Sequence, residues 1–311
     1  MMPSPAEAAR AATTSVLVVP ARDRAAIVVT GKDRTSWLNG LVTCELAKRV
    51  PGEGAYGLLV EKKGRIQTDL FVLPDAGESA FALAVPVALR ESLLTTLDHY
   101  LIMEDAELAL ADLAFFVAHG PRASSLQPLA PFAGTVDLLG HGGLVLGVPA
   151  ADAAAFEARL AEEVLALGGV VADDATWDAV RIEHGLPRFG VEFDTTHYPQ
   201  EAALEKLAVS FQTGCYLGQE VVYMLQERGH VKRKLVSLDL DAGEAPAVGA
   251  AVATAAGELV GEVRSAALGT ASGKPVAIAM VKWAHTKPGT ELSVVVPDGS
   301  RAARVRASEQ A

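Results

Sequence analysis

The sequence predicts an α+β fold in which antiparallel sheets and helices form layers and a small β-barrel follows them. Hairpin-like pairs of apolar segments alternate with amphipathic segments through residues 1–234, a pattern typical of α+β layers. After about residue 235, short segments rich in Val, Gly and Ala follow one another without a convincing helix. A chain of 311 residues is also too long for one compact core of ordinary size. We therefore expect one region at 1–234, built of two subdomains, and a barrel at 235–311.

The elements of residues 1–234 follow from hydrophobic periodicity. Apolar residues at alternating or continuous positions predict strands, and apolar residues at helical spacing predict helices. The tight turn at Lys63-Gly64 predicts a hairpin, and Asp33 and Asp174 are expected to cap the helices that follow them. Strands are predicted at 25–31, 55–60, 65–73, 81–85, 113–117 and 143–148, and helices at 33–41, 87–100, 151–167 and 175–184.

The barrel is predicted from five short strands separated by Gly and Pro turns. These strands are expected at 235–240, 250–253, 258–264, 276–281 and 291–296. The first 15 residues are small and polar, without the basic and apolar regions of a signal peptide, and are expected to form a loose tail.

Composition excludes several function classes. No run approaches the roughly 20 apolar residues that a membrane span requires, so we expect a cytoplasmic protein without a membrane partner. The formal net charge of −11 argues against broad attraction to nucleic-acid phosphates. Two cysteines give neither a disulfide framework nor a metal-binding spacing, and the histidines form no H-x-x-x-H pair. Motifs typical of serine hydrolases and of phosphate-binding loops are also missing from the sequence.

Cys215 is the first candidate functional residue. Gly214 and Gly218 flank Cys215 and Tyr216, which would let the backbone turn sharply and present the thiol. Backbone N–H groups exposed in such a loop favour the thiolate, which is the reactive form. A small buried hydrophobe is an equally good interpretation from the residues alone. Cys44 has no such glycine frame and is interpreted as structural.

Glu183 is the second candidate. It falls in the last turn of the helix predicted at 175–184, where the helix dipole disfavours a carboxylate. A carboxylate in such a position could accept two parallel N–H bonds from an amidine-like edge of a ligand. Spacing alone favours a simpler interpretation, in which Glu183 pairs with Arg181 or Arg188 on the surface.

Several segments resemble the YgfZ/GcvT family of folate-binding proteins. Residues 29–43 (VTGKDRTSWLNGLVT) are similar to the opening strand and helix of that family, and residues 64–70 to its hairpin. Residues 181–190 (RIEHGLPRFG) resemble the R-[LI]-E-x-G segment, whose Glu binds the pterin ring in the family. The resemblance implies a GcvT-like fold, tetrahydrofolate or a one-carbon derivative as cofactor, and the pterin-binding role for Glu183.

The stretch 214–220 (GCYLGQE) resembles the signature [KR]-G-C-Y-x-G-Q-E of the YgfZ branch. The resemblance implies that Cys215 is a functional thiol and that the neighbouring residues of the signature and Arg228 take part in the cofactor site. The residues given this role are Gly214, Tyr216, Gly218, Gln219, Glu220 and Arg228. Thr213 replaces the basic residue expected at the head of the signature.

The family implies two hypotheses for function. The first is a tetrahydrofolate-binding protein that acts in iron–sulfur cluster assembly or repair, with iron–sulfur enzymes or assembly factors as partners and an indirect link to tRNA modification. The second is a folate-dependent one-carbon transferase or demethylase that uses Cys215, Glu91 or Asp69. The catalytic Asp that aminomethyltransferases carry after the strand at 81–85 has no counterpart here, where Glu91 is the only acid nearby. The glycine-cleavage reaction is therefore not expected.

Overall fold

The computed structural model describes residues 2–212, 214–270 and 272–307. The described helices are α1 (Pro5–Thr14), α2 (Arg34–Asn39), α3 (Arg90–Asp98), α4 (Ala153–Ala166), α5 (Asp174–Glu183) and α6 (Gln219–Glu227). The first ten described strands are β1 (Leu17–Pro20), β2 (Arg24–Thr30), β3 (Ala55–Val60), β4 (Ile66–Pro74), β5 (Phe81–Pro86), β6 (Glu107–Ala111), β7 (Leu113–His119), β8 (Phe132–Thr135), β9 (Gly143–Pro149) and β10 (Val170–Val171). The remaining six are β11 (Arg233–Leu240), β12 (Ala251–Ala253), β13 (Leu259–Leu268), β14 (Pro275–Lys282), β15 (Glu291–Val296) and β16 (Gly299–Val305).

Two five-stranded sheets form the larger part of the molecule. One sheet has the order β3-β4-β5-β2-β6 and is antiparallel throughout, and the other has the order β10-β1-β7-β9-β8 with one parallel pair, β1 and β10. The sheets pack face to face across one buried cluster, to which β4 contributes Phe71 and β7 contributes Phe115 and Val117. Helices α2 and α3 cover the outer face of the first sheet, and α4 covers that of the second. The result is four layers in the order helix, sheet, sheet, helix.

The alternation of side chains explains why both faces of β4 are buried. Because successive residues of a strand point to opposite faces, Phe71 and Leu73 join the cluster between the sheets, whereas Leu70 and Val72 join the cluster under α2 and α3. Asp69 shares the face of Phe71 and is only 2% exposed. A carboxylate is therefore carried into the space between the sheets, where it requires a partner.

Strands β11 to β16 close into a barrel with the order β11-β14-β13-β12-β15-β16. The barrel has its own core, to which Leu238, Val252 and Val263 contribute. The predicted α+β fold class with a C-terminal barrel is confirmed. In the described ranges the barrel has six strands, whereas five were predicted; the strand that was not predicted is β16. In its sequence GSRAARV the buried residues are only Ala303 and Val305, so the apolar pattern is weak.

Two other predictions are corrected. Residues expected to be a loose tail form helix α1, which begins with a capping box in which Ser4 and Glu7 bond each other's backbone N–H groups. The cap of α5 is Asp173 rather than Asp174, since the Asp173 side chain accepts the Thr176 N–H at 2.8 Å. The apolar run after Gln219, which the sequence left open between strand and helix, lies in helix α6.

Candidate functional site

A cavity lies between the two sheets, with about 640 Å³ of empty space when its solvent-open mouth is counted, and α5 and the segment after it close one side. We call it the inter-sheet cavity. Its apolar wall comes from both sheets, through Tyr56 and Phe71 on one side and Val117 on the other, and Trp177 of α5 completes it. Aromatic rings around a concave space with a few polar groups are typical of small-molecule sites.

A buried ion pair forms the polar part of the cavity wall. Both guanidinium Nη atoms of Arg24 donate to the two carboxylate oxygens of Asp69 at 2.8 Å, and the Tyr56 hydroxyl donates to Asp69 Oδ2 at 3.0 Å. The Arg24 guanidinium also lies over the Phe71 ring, 5.5 Å from its centre. The bidentate geometry fixes Arg24 and Asp69 in one orientation.

Protonation states in this network are well defined. Burial by itself lowers the pKa of Arg24, but the charge of Asp69 and its hydrogen bonds raise that pKa above its ordinary value. Burial, reinforced by the Asp69 charge, raises the pKa of Tyr56 well above its ordinary value. Arg24 therefore stays charged and Tyr56 stays a hydrogen-bond donor, so that both oxygens of Asp69 are already engaged.

His119 is a buried residue of the cavity wall that sequence reasoning missed. It is the last residue of β7, it is 0% exposed, and its ring stacks on Trp177 at 4.3 Å with 12° between the planes. Burial lowers the pKa of His119 to about 3, with a smaller opposing effect from Asp137. Neither ring nitrogen has a hydrogen-bond partner among the described residues. The available signal was a His at the end of an apolar strand, directly before the Gly120-Pro121 turn.

Glu183 is not among the described residues that line the inter-sheet cavity. Its carboxylate accepts the backbone N–H of Thr270 at 3.0 Å and a hydrogen bond from the Thr270 hydroxyl. Its backbone carbonyl accepts a hydrogen bond from Arg306. Thr270 lies between β13 and β14, so these bonds join the end of α5 to the barrel. Arg181, offered as a surface partner of Glu183, is 2% exposed and pairs with Glu192 at 2.9 Å.

The described residues of the signature segment do not line the inter-sheet cavity. Gly214 and Cys215 are exposed, whereas Tyr216 is 6% exposed and joins the large cluster between the sheets. Burial raises the pKa of Tyr216 to about 12, and its hydroxyl has no partner among the described residues. Thr213, at the head of the signature, lies outside the described residues.

Gly218 explains how the signature segment is held against the first sheet. Its φ is +79°, and a Cβ at this position would lie 2.3 Å from the Glu61 backbone oxygen. The Leu217 N–H donates to Gly40 O at 3.1 Å, which fixes the segment beside α2. A glycine is therefore required on both conformational and steric grounds.

The rest of the signature belongs to α6. Gln219 and Glu220 begin the helix, where a carboxylate is favoured by the helix dipole, and Arg228 ends it. Glu220 and Arg228 are exposed. The structure thus presents the Cys215 thiol and this helix at the surface, and brings Arg24, Tyr56, Asp69, His119 and Trp177 together inside. Cys44, interpreted as structural, is buried, and burial raises its pKa to about 12.

The described residues contain neither a membrane-spanning helix nor a metal-binding cluster of side chains. No helix in the described ranges combines the length and the apolar character that crossing a bilayer requires. Among the same residues, His, Cys, Asp and Glu side chains do not form a group of three that could hold a metal ion.

Two family models match the chain. The GCVT N-terminal domain matches residues 1–138, and the glycine cleavage T-protein C-terminal barrel domain matches residues 233–309. The tRNA-modifying protein YgfZ of Aliivibrio fischeri is 27% identical over 248 residues, which are 76% of this chain and 75% of that protein. An aminomethyltransferase of Streptomyces coelicolor is 28% identical over 291 residues, 85% of this chain and 78% of that protein.

A solved structure shares the fold. The glycine cleavage system aminomethyltransferase T from Bartonella henselae superposes with a TM-score of 0.82 at 19% identity, covering 99% of this chain and 89% of that one. At this identity the likeness concerns the fold alone. Because the two family models together match well over half of the residues, and relatives from both branches align with most of them, the chain belongs to the YgfZ/GcvT family.

Proposed function

We propose that the protein binds tetrahydrofolate or a one-carbon derivative, with the pterin ring in the inter-sheet cavity. The observation that carries this proposal is the cavity itself, where Tyr56, Phe71 and Trp177 offer flat apolar surfaces beside buried polar groups. A pterin is a flat heterocycle with a hydrogen-bonding edge, and such rings favour aromatic walls with few, fixed polar groups. Membership in the YgfZ/GcvT family supports folate as the ligand.

In this proposal the protein acts in the cytoplasm, in the assembly or repair of iron–sulfur clusters. Iron–sulfur enzymes or assembly factors would be its partners, and support of tRNA modification would be indirect, through those enzymes. The signature at Gly214 to Glu220 and the relatives named tRNA-modifying protein YgfZ support this choice. The formal net charge of −11 favours a protein partner over direct binding of tRNA.

Cys215 is proposed as the functional thiol and the signature residues around it as its supporting frame. Its exposure beside α6 suits contact with a partner protein or a cluster in transfer. Complementation of a strain that lacks its native YgfZ tests this role. We expect Cys215→Ala to fail while Cys44→Ala at the buried, structural cysteine complements, and full complementation by Cys215→Ala would exclude a needed thiol.

Calorimetry tests folate binding itself. We expect the wild type to bind tetrahydrofolate and Trp177→Ala, which removes a cavity wall, to bind more weakly. The pterin-binding role of Glu183 remains a proposal: its carboxylate does not line the inter-sheet cavity, and its Oε2 is held by Thr270 in this structure. Glu183→Gln tests it in the same assay, because loss of affinity supports that role and unchanged affinity contradicts it. A wild type that binds no folate excludes both hypotheses for function.

The second candidate is a folate-dependent one-carbon transferase or demethylase. The observation that favours it is a carboxylate, Asp69, in the wall of the inter-sheet cavity, together with the aminomethyltransferase that aligns with 85% of this chain. Glu91, in contrast, is exposed on α3 beside Arg90. Turnover of a methylamine-type substrate with tetrahydrofolate by the wild type, and its loss in Asp69→Asn, would support the enzyme. Folate binding without turnover favours the first candidate.

A further inference from the structure

The buried polar side chains in the wall of the inter-sheet cavity differ in whether they have a hydrogen-bond partner. Arg24, Tyr56 and Asp69 bond one another. Arg181 donates to Asp178 at 2.5 Å and to Glu192 at 2.9 Å. Among the described buried side chains of this wall, His119 is the exception, since neither of its ring nitrogens has a partner.

A buried imidazole without a partner is unfavourable for folding, because its N–H group and its lone pair lose water and gain nothing in exchange. Such groups are uncommon in folded proteins and require an explanation. Three facts connect His119 with a ligand: it lines a cavity, Trp177 stacks on its ring, and the other buried polar side chains of the wall already have hydrogen-bond partners.

The state of the ring limits the ligand. Burial keeps His119 neutral near pH 7, so it carries one N–H donor and one acceptor nitrogen, and the tautomer decides which side holds which. A neutral imidazole cannot serve as the countercharge of a carboxylate. It can pair with the N–H or the C=O of an uncharged lactam-like ring edge.

We propose that His119 donates or accepts the hydrogen bond that recognises the polar edge of the pterin ring, and that Trp177 holds the imidazole in plane for it. This inference rests on the proposed folate binding and adds the residue that hydrogen-bonds to the pterin ring. It also orients the ligand, with the uncharged ring at His119 and the charged glutamate end directed away from it. The His119 nitrogens are buried in this structure, so a ligand edge reaches them only after a neighbouring side chain at the edge of the imidazole moves, while Trp177 stays stacked on its face.

Calorimetric titration with 5-formyltetrahydrofolate tests the inference. His119→Phe keeps an aromatic ring against Trp177 but removes both nitrogens, and we expect at least a tenfold loss of affinity. His119→Gln restores a donor and an acceptor and is expected to recover part of that loss. The control is His99→Phe, which replaces an exposed His on the far side of the first sheet that contacts Tyr100 edge to face. This variant should bind like the wild type.

Thermal unfolding separates recognition from a structural role. Because His119→Phe removes a buried group without a partner, its Tm should equal or exceed that of the wild type while its affinity falls. The affinity loss should persist for a tetrahydropterin that lacks the aminobenzoyl-glutamate end. Wild-type affinity in His119→Phe, or a loss seen only with the full folate, overturns this inference alone. A wild type that binds neither probe overturns the proposed function as well.

Discussion

The neutral, buried imidazole of His119 makes the stability of the folded chain depend on pH. Its pKa is about 3 in the folded state, whereas an ordinary His has a pKa near 6.5. The unfolded chain therefore takes up the proton first as the pH falls, and stability is lost progressively from about pH 6.5 down to 3. Above pH 6.5 both states are neutral and the effect vanishes.

We expect His119→Gln, which cannot titrate, to remove this dependence. From pH 7 to pH 5 the wild type should lose about 2 kcal/mol of unfolding free energy more than His119→Gln, from a linkage of about 1.4 kcal/mol per pH unit. Urea unfolding at the two pH values measures the difference. His99→Gln, at an exposed position, should lose as much as the wild type, and equal losses in all three proteins would contradict the prediction.

Asp69 offers a second test at the scale of single residues. Asp69→Ala leaves the Arg24 guanidinium buried without its countercharge, and breaking a buried pair in this way costs about 3–5 kcal/mol. Glu91→Ala removes an exposed carboxylate that pairs with Arg90 and should cost less than about 1 kcal/mol. Urea unfolding at pH 7 compares them, and similar costs would mean that Arg24 finds another partner.

At the scale of elements, helices α1 and α6 show two reasons why sequence reasoning failed to predict a helix. The buried face of α1 consists of Ala8, Ala11 and Ala12, and alanines make the apolar period too weak to read. The capping box at Ser4 and Glu7 was the readable signal. For α6 the apolar run was visible, but its length did not distinguish a helix from a strand. Strands β5 (FALAVP) and β9 (GLVLGVP) were predictable because their apolar runs are nearly continuous.

Gly218 should control the entry into α6. Gly218→Ala combines an unfavourable positive φ with a clash against the Glu61 backbone, and we expect it to cost more than about 2 kcal/mol. Gly249 is a matched control, because its φ is +81° but nothing lies within 4 Å of an added Cβ. Gly249→Ala should therefore show the backbone cost alone, about 1–2 kcal/mol. Equal losses of unfolding free energy in the two variants, measured by urea unfolding, would contradict a clash between the added Cβ and the Glu61 backbone.

At the scale of the whole molecule, the link between α5 and the barrel carries a prediction about Glu183. Hydrogen bonds to a charged group contribute about 1.5–3 kcal/mol, so Glu183→Gln should lower the free energy of unfolding by about 1–2 kcal/mol. Thr270→Val removes the hydroxyl donor from the same link and should have a similar effect. Because both changes act on one contact, the double variant should lose less than the sum, and additive losses would contradict the link.

The whole molecule also shows why the fold was easier to predict than the site. Fold class depends on patterns within continuous segments, and these were visible in the sequence. The inter-sheet cavity instead draws Arg24 from β2, Tyr56 from β3, Asp69 from β4, His119 from β7 and Trp177 from α5. No spacing rule connects residues that only tertiary packing brings together. The signature at Cys215 was visible because its members are consecutive.

The positions of the tryptophans, one of which is Trp177 at His119, have a practical consequence for fluorescence measurements. The chain has three tryptophans. Trp37 lies in the buried cluster under α2, Trp177 at the inter-sheet cavity, and Trp283 on the barrel, stacked on His230. Variants that keep one indole each would give separate fluorescence signals for one layer, for the ligand cavity and for the barrel surface. Ligand entry, unfolding of the layers and unfolding of the barrel could then be followed independently in one protein without an attached dye.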